Sequence, residues 1–342
     1  MEKLVLFTPN DLAKITNHRS GEIKFGEKML TVQKGIDPIS FLTNCAAQYV
    51  LFGIPEDIGV RANFGRPGTA SAWQNAIKNI ANIQHNRFNK GNDILILGHL
   101  DVLEQMKEVA SLDFNDIDDR SKLSQLVQQI DKEVAHIVFH IVKSGKTPII
   151  IGGGHNNSYG NIKGTALAKG KPINAINFDA HSDFRILEGR HSGNGFSYAY
   201  EEGFLNHYFI FGLHENYTSK SVLDLIKKTE NRVRYTTYDS INVRKEKAFV
   251  PEMENALDFI QTAFFGLEID LDAIPNIASS AMTPSGFSVE ELRQFVSFFG
   301  KNKNASYLHI CEGAPDLGEE KNNHLIGKLI AYLVTDFIKS NQ

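Results

Sequence analysis

The chain has 342 residues, 42% hydrophobic and 22% charged, with 36 basic residues against 40 acidic ones and a formal net charge of −4. These totals suit a globular protein of one large or two ordinary domains and exclude the basic excess of a nucleic-acid binder. Apolar runs such as Pro148–Ile151 and Tyr208–Leu213 fall far short of the roughly 18 residues a bilayer span needs, so no membrane partner is expected.

The opening MEKLVLFTPNDLAKI mixes charge into its apolar residues too early for a secretory signal. Only two cysteines occur, Cys45 and Cys311, neither in a CxxC pair, and a reduced cytoplasmic setting is expected. Residues 1–46 read as an N-terminal extension of mixed pattern, strand-like over Glu22–Phe25 and Met29–Gln33, with no motif. Gln48–Ile54 is a near-continuous apolar run stopped by Pro55, the pattern of a strand buried on both faces of a parallel sheet. The stretch PEDIGVRANFGRPGTASAW then reads as a long loop. It enters a helix near Thr69 or Ser71, residue types that cap helices, and the helix runs on through Asn75–Ile83.

Asp93–Leu97 is a second strand, and residues 112–121 read as an acidic loop. Over Ser121–Lys143, Leu123, Leu126, Ile130, Val134, Ile137, Val138 and Ile141 recur at spacings of three and four, which predicts an amphipathic helix ended at Gly145. Downstream, strands are predicted at Thr147–Ile151, Ala175–Phe178, Leu205–Gly212, Arg234–Tyr238, Phe264–Ile269 and Ser306–Ile310. Helices are predicted between and after them at Gly160–Lys169, Ser219–Lys228, Pro251–Gln261, Ser288–Phe299 and Asn323–Lys339. Ser288 and Glu291 form a capping box pattern. This alternation predicts one α/β domain over residues 1–342, doubly wound on a mostly parallel sheet of about eight strands. In such sheets ligands collect at the C-terminal strand ends.

Metal-ligand residue types stand at those ends. One strand empties into Gly152-Gly153-Gly154-His155, another into Asp179-Ala180-His181-Ser182-Asp183, and a third into Asp270-Leu271-Asp272. Alternate residues share a face of a strand, so a D-x-H-x-D pattern points its donors one way. The set holds four carboxylates and two imidazoles without thiolate, which favours Mn²⁺ over Zn²⁺ and leaves Ni²⁺, Co²⁺ or Fe²⁺ compatible. Six ligands exceed what one catalytic ion takes while keeping an open position. A pair of cations is therefore expected, with a bridging water acidified towards neutrality and hydrolysis of an electrophilic carbon as the reaction. GGGHNNS lacks the Lys-Ser/Thr of a phosphate loop and no acidic residue follows at dinucleotide spacing, so His155 is read as a metal ligand.

At these residues the chain resembles the ureohydrolases, the superfamily of arginase, agmatinase and formimidoylglutamase. Their signatures correspond here to Gly152–His155, Asp179–Asp183 and Glu268–Asp272, and GIPEDIGVRANFGRPGTA (53–70) is similar to the family's N-terminal loop. The resemblance implies the three-layer α/β/α arginase-like fold, two Mn²⁺ per chain and a homotrimer or homohexamer. It implies one ion on His155, Asp179, Asp183 and Asp270 and the other on His181, Asp179, Asp270 and Asp272. Glu312 matches the acid that grips a substrate amidinium. Ser192 falls where arginases and agmatinases carry a proton-shuttling His, and His191 lies one residue earlier. The segment around Ser192 and Asn194, with Arg185 after DAHSDF, resembles formimidoylglutamases, and Arg185 reads either as a carboxylate ligand or as a structural ion pair. Glu268 replaces the usual Ser or Asp, and Pro275 lies where a further Asp is common.

The expectation is a hydrolase (class 3.5.3) of a small amidino or formimidoyl amino acid: formimidoylglutamate to glutamate and formamide, or arginine to ornithine and urea. The catalytic residues would be Asp183, His191 and Glu312, and the substrate-binding residues Arg185, Ser192, Asn194 and Glu312. Agmatine and guanidinobutyrate are further candidate substrates. The rivals are an idle scaffold of the same fold and a single-zinc deacetylase.

Overall fold

The computed structural model describes residues 1–33, 35–318 and 323–341. Its strands are β1 (Leu4–Leu6), β2 (Leu30–Thr31), β3 (Tyr49–Gly53), β4 (Ile94–Leu100), β5 (Thr147–Ile151), β6 (Ile173–Phe178), β7 (Leu205–Leu213), β8 (Val233–Thr237), β9 (Phe265–Asp270) and β10 (Ala305–Cys311). The helices are α1 (Pro9–Ile15), α2 (Pro38–Asn44), α3 (Ile58–Ala62), α4 (Ala72–Ala81), α5 (Leu103–Val109), α6 (Ile117–Lys143), α7 (Asn157–Lys169), α8 (Gly195–Glu201), α9 (Lys220–Lys227), α10 (Phe249–Ile260), α11 (Val289–Gly300) and α12 (Asn323–Ser340).

The strands form one sheet in the order β1-β4-β3-β5-β10-β9-β6-β7-β8, with β2 also on β4. Only the β1–β4 pairing is antiparallel among the described residues. Alternation along the central strands divides the core. Ile149 and Ile151 join Leu267, Ile269, Leu308 and Ile310 against α4, α10, α11 and α12. Ile150 faces the other way, with Tyr307, into a core closed by α6, α7, α8 and α9. The layers are therefore α/β/α, and Ile150 is fully buried. Truncating such a residue to Ala costs about 2–5 kcal/mol.

The sheet has ten strands rather than about eight. The difference lies in residues 1–46, where β1 is only three residues long, too short to leave an alternating pattern, and the two-residue β2 lies within the strand-like Met29–Gln33. Glu22–Phe25 is not a strand; Phe25–Glu27 is a single 3-10 turn. The acidic stretch 112–121 is partly helical, since α6 begins at Ile117 with Asp116 accepting from the backbone N–H of Asp118 and Asp119. Acids there cap free amides and face the positive end of the helix dipole. The capping box of Ser288 and Glu291 stands at the start of α11 as predicted. Among the described residues no helix is long and apolar enough to cross a membrane.

Four central strands position the site. Ile151 of β5 pairs with Ile310 of β10, Ile310 with Ile269 of β9, and Ile269 with Phe178 of β6. The strands are parallel and level, so the chain leaves the sheet in one row at or just beyond these four residues. That row is where Gly152–His155, Glu312, Asp270–Asp272 and Asp179–Asp183 diverge from it.

Candidate metal centre

The β5 end needs an unusual backbone. Gly152 and Gly153 take φ of 93° and 74°, a region L side chains avoid. A Cβ on Gly153 would also stand 2.3 Å from Asn157 Nδ2. The turn carries His155 inward, fully buried. Its Nδ1 lies 2.8 Å from Asp183 Oδ2, 3.2 Å from Asp270 Oδ2 and 3.3 Å from Asp179 Oδ2. His181 Nδ1 lies 3.5 Å from Asp179 Oδ1 and 4.0 Å from Asp272 Oδ2.

Two sets of candidate ligands result. His155, Asp179, Asp183 and Asp270 form one, and His181, Asp270 and Asp272 the other, with the donor atoms of each within 4.8 Å of one another. Asp270 belongs to both. All six residues expected from the sequence as metal ligands are thus in one place. A third set, His155, His309 and Cys311, shares His155 with the first.

Electrostatics agree with a site built for cations. Burial and then the charge of Asp179 push Asp183 and Asp270 above the ordinary carboxylate range, and burial does the same to Asp272. Burial also opposes the charge on Asp179, yet His155 and His181 hold it below that range. His181, against its burial, is raised to about 10 by Asp179 and then Asp272. The metal-free cluster therefore binds protons that divalent cations would displace. An oxygen-rich donor set with two imidazoles fits Mn²⁺ or a similar ion.

Backbone strain marks the same spot. Asp183 has φ 45° and Glu312 φ 60° without being glycine, conformations that persist where surrounding contacts fix them. For Glu312 those contacts are visible. Its N–H donates to Gly153 O at 3.1 Å, its carbonyl accepts from Ser280 N at 3.2 Å, and Oε1 accepts from His155 N at 2.6 Å. Its Oε2 is buried without a partner. Burial, then the charge of Asp272, pushes the Glu312 carboxyl up to about 8.

Above the cluster lies a cleft of about 650 Å³ lined by His181, Asp183, Asp270, Asp272 and Glu312, with Arg185 and Ser192 on its rim. Arg185 Nη1 donates to Asn63 Oδ1 at 2.8 Å, and its Nη2 lies 2.5 Å from Glu188 Oε1. Asn63 Nδ2 in turn donates to Ser192 Oγ at 3.1 Å. Asn63 thus ties Arg185 and Ser192 into one rim, across 122 and 129 residues of chain.

His191 and Asn194 are placed differently. Neither lines the cleft. His191 Nδ1 accepts from Gly193 N at 3.1 Å and its Nε2 lies 3.3 Å from Glu188 Oε1. Burial, then Arg185, lowers His191 to about 4. Asn194 Oδ1 accepts from Arg190 Nη1 at 2.6 Å and from His191 N at 3.1 Å, while Nδ2 donates to Gly189 O at 2.7 Å. Both residues hold the loop together from within.

Two buried acids were not singled out for roles the geometry reveals. Glu56, fully buried, accepts from Ile58 N at 2.6 Å, Asn157 Nδ2 at 2.7 Å and Gly154 N at 3.1 Å, pinning the His155 turn. Its signal in sequence is an acid embedded among apolar and glycine residues. Glu268, inside β9, accepts from Tyr307 OH at 2.6 Å and lies 2.5 Å from His309 Nδ1 and 3.4 Å from His155 Nε2. Burial opposes its charge, but His309 and His155 bring it down to about 2. A carboxylate at the far nitrogen of a ligand imidazole fixes the ring's orientation.

Comparison with known proteins places this geometry. The profile of the arginase family matches residues 47–335. The chain is 26% identical over 289 residues to the formimidoylglutamase of Macrococcus caseolyticus, covering 83% of each chain. It is 26% identical over 253 residues to that of Chromobacterium violaceum, covering 72% of this chain and 73% of the relative. Among solved structures, the formimidoylglutamase of Bacillus subtilis superposes with a TM-score of 0.73 at 19% identity, over 95% of this chain and 94% of the other. Trypanosoma cruzi formiminoglutamase with Mn²⁺ gives 0.70 at 17% identity, over 93% and 98%.

Proposed function

The chain belongs to the arginase family, and from that premise we propose that it is a manganese-dependent hydrolase of N-formimidoyl-glutamate, releasing glutamate and formamide. The observation that carries this reading is the floor of the cleft, where two ligand sets share Asp270 beside the buried, unpartnered Oε2 of Glu312. The relatives named formimidoylglutamase support the choice of substrate, as does Arg185 at the rim. His155, Asp179, Asp183 and Asp270 would hold one ion, and His181, Asp272 and the shared Asp179 and Asp270 the other. Bound there, divalent cations would neutralise the acids and bring the pKa of water in the cleft towards neutrality.

The chain's own residues bind and orient. A formimidoyl group is a planar cation, and Glu312 Oε2 accepts one of its N–H groups while Oε1 keeps its bond to His155 N. That pairing holds the amidine carbon over the ligand cluster, in the near-attack position where most of the entropic cost of reaction is met in advance. Arg185, steadied by Asn63, takes a substrate carboxylate with its remaining donors, and Ser192 completes the rim. Proton delivery to the leaving amine falls to Asp183, which lines the cleft, rather than to His191, whose ring nitrogens both face partners in its own loop. Assembly as a trimer or hexamer and a cytoplasmic setting belong to the same reading, the latter in keeping with two free cysteines.

The test is a panel assay of Mn²⁺-loaded protein with formimidoylglutamate, arginine, agmatine and guanidinobutyrate. Formamide release from formimidoylglutamate is expected to have the highest kcat/KM. Urea from arginine alone would move the assignment to arginase, and no turnover of any amidine would overturn the hydrolase reading.

A further inference from the structure

We propose that Tyr217 is the positioning residue for the cation held by His181 and Asp272. Its ring steadies the His181 imidazole, and its hydroxyl ties to the loop that steadies Asp272. This assignment rests on the paired-cation reading and goes beyond it to what decides how tightly the second ion is held.

Five of the six ligand side chains are clamped by burial, at 10% exposure or less, whereas that of His181 is 30% exposed. Burial alone therefore does not fix this imidazole. Its carboxylate neighbours stand off, Asp179 at 3.5 Å and Asp272 at 4.0 Å. The ring of Tyr217 lies against it, near-parallel at 24° with centroids 5.5 Å apart. Offset stacking of this kind is a favoured arrangement of two aromatic rings. The other ligand imidazole, His155, packs instead against Phe196, edge-on at 5.1 Å. Tyr217 thus bears on one ligand set and not on the other.

Tyr217 is itself held. It ends a single 3-10 turn, Glu215–Tyr217, just after β7. Its ring stacks on His214 at 5.3 Å and 11°, His214 stacks on Tyr238 at 4.8 Å and 26°, and Tyr238 meets the fully buried Phe287 edge-on. The column is therefore rooted in the core. Arg244 pins the turn with two bonds to Glu215, at 2.7 and 2.9 Å, and His214 N donates to Ala180 O beside His181 at 2.9 Å. At its far end the Tyr217 hydroxyl lies 3.4 Å from Oγ1 of buried Thr283. Thr283 belongs to the loop whose Ser280 Oγ and Ala281 N donate to Asp272 at 3.2 and 3.1 Å. His181 and Asp272, the ligands that the second ion does not share, are thus oriented from the same side chain. Tyr217 is 49% exposed and lines the cleft, so it can be replaced without opening the core.

The test is calorimetric titration of metal-free full-length protein with Mn²⁺, for the wild type, Y217F and Y217A. Electron paramagnetic resonance on the same samples tells a spin-coupled ion pair from isolated ions. The wild type should take up two ions. Y217A should bind the second about 10- to 100-fold more weakly and the first within about threefold of wild type, the selective loss expected when an outer partner of one metal ligand is removed. At Mn²⁺ levels that give the coupled-pair signal in the wild type, Y217A should show isolated ions. Y217F keeps the stack and loses only the long bond to Thr283, so it should recover most of the affinity. Equal weakening of both ions in Y217A, no weakening of either, or a Y217F as defective as Y217A would overturn the assignment and leave the paired site standing. A wild type that takes up a single ion would overturn the paired site, and this assignment with it.

Discussion

Replacing Glu312 by Gln removes one charge and almost no volume. Oε1 of Glu312 accepts from His155 N at 2.6 Å, and the amide oxygen of a glutamine can keep that bond. The amide NH₂ would then occupy the place of the buried, unpartnered Oε2 and present donors to an amidinium that itself only donates. Removing one partner of a buried ion pair costs about 3–5 kcal/mol. The cleft is open to water, so the lower half of that range applies, and each 1.36 kcal/mol is tenfold in rate. E312Q should therefore lose about 10²–10³ in kcat/KM for every amidine the enzyme accepts. Steady-state kinetics on Mn²⁺-loaded protein measures this, with metal content determined alongside to show that the cluster still fills. A loss below tenfold at full metal loading would refute the assignment of Glu312 as the amidinium partner.

Other consequences are as direct. Glu312 is raised to about 8 from 4.5 and His181 to about 10 from 6.5. The native metal-free state thus holds protons the unfolded chain releases, and the stability they contribute is full below the unfolded values and lost as pH rises through the folded ones. Thermal melting of chelator-treated protein should show Tm falling between pH 5 and pH 9 and Mn²⁺ restoring it; a flat or rising Tm would contradict the electrostatic account. E56A strips the acceptor from Ile58 N, Gly154 N and Asn157 Nδ2, and urea unfolding should show a loss of about 3–5 kcal/mol. H191N keeps an acceptor for Gly193 N and should lower kcat less than tenfold, whereas loss of a true proton shuttle would cost about 10²–10⁴.

The centre of the fold was readable because β5, β6, β9 and β10 are buried along their length and so are rich in apolar residues. Ligand residues at their ends were readable for the same reason, since polar side chains directly after such runs stand out. β1 at the edge of the sheet was not, because its three residues are too few to carry a period, whereas β2 falls within the strand-like Met29–Gln33. Helix α8, GFSYAYE, has no apolar stripe of helical spacing and is specified by packing of Phe196 against Tyr208 and His155. Within the site, long-range partners were hidden. Asn63 reaches Arg185 and Ser192 only in the folded chain. His191 and Asn194 sit in the right segment but turn inward, because buried Arg190 draws the loop onto Asp131 and Asn156. Glu268 carried a legible signal, an acid inside an apolar strand, whose meaning appeared once Tyr307, His309 and His155 stood around it.

The most direct measurement is anomalous X-ray diffraction at the manganese edge from crystals of Mn²⁺-loaded protein, wild type and D270N. Two neighbouring peaks are predicted in the wild type, one against His155 and Asp183 and the other against His181 and Asp272, both touching Asp270. Both should fade in D270N. A single peak, or manganese bound away from these side chains, would contradict the paired-cation site on which the proposed chemistry depends.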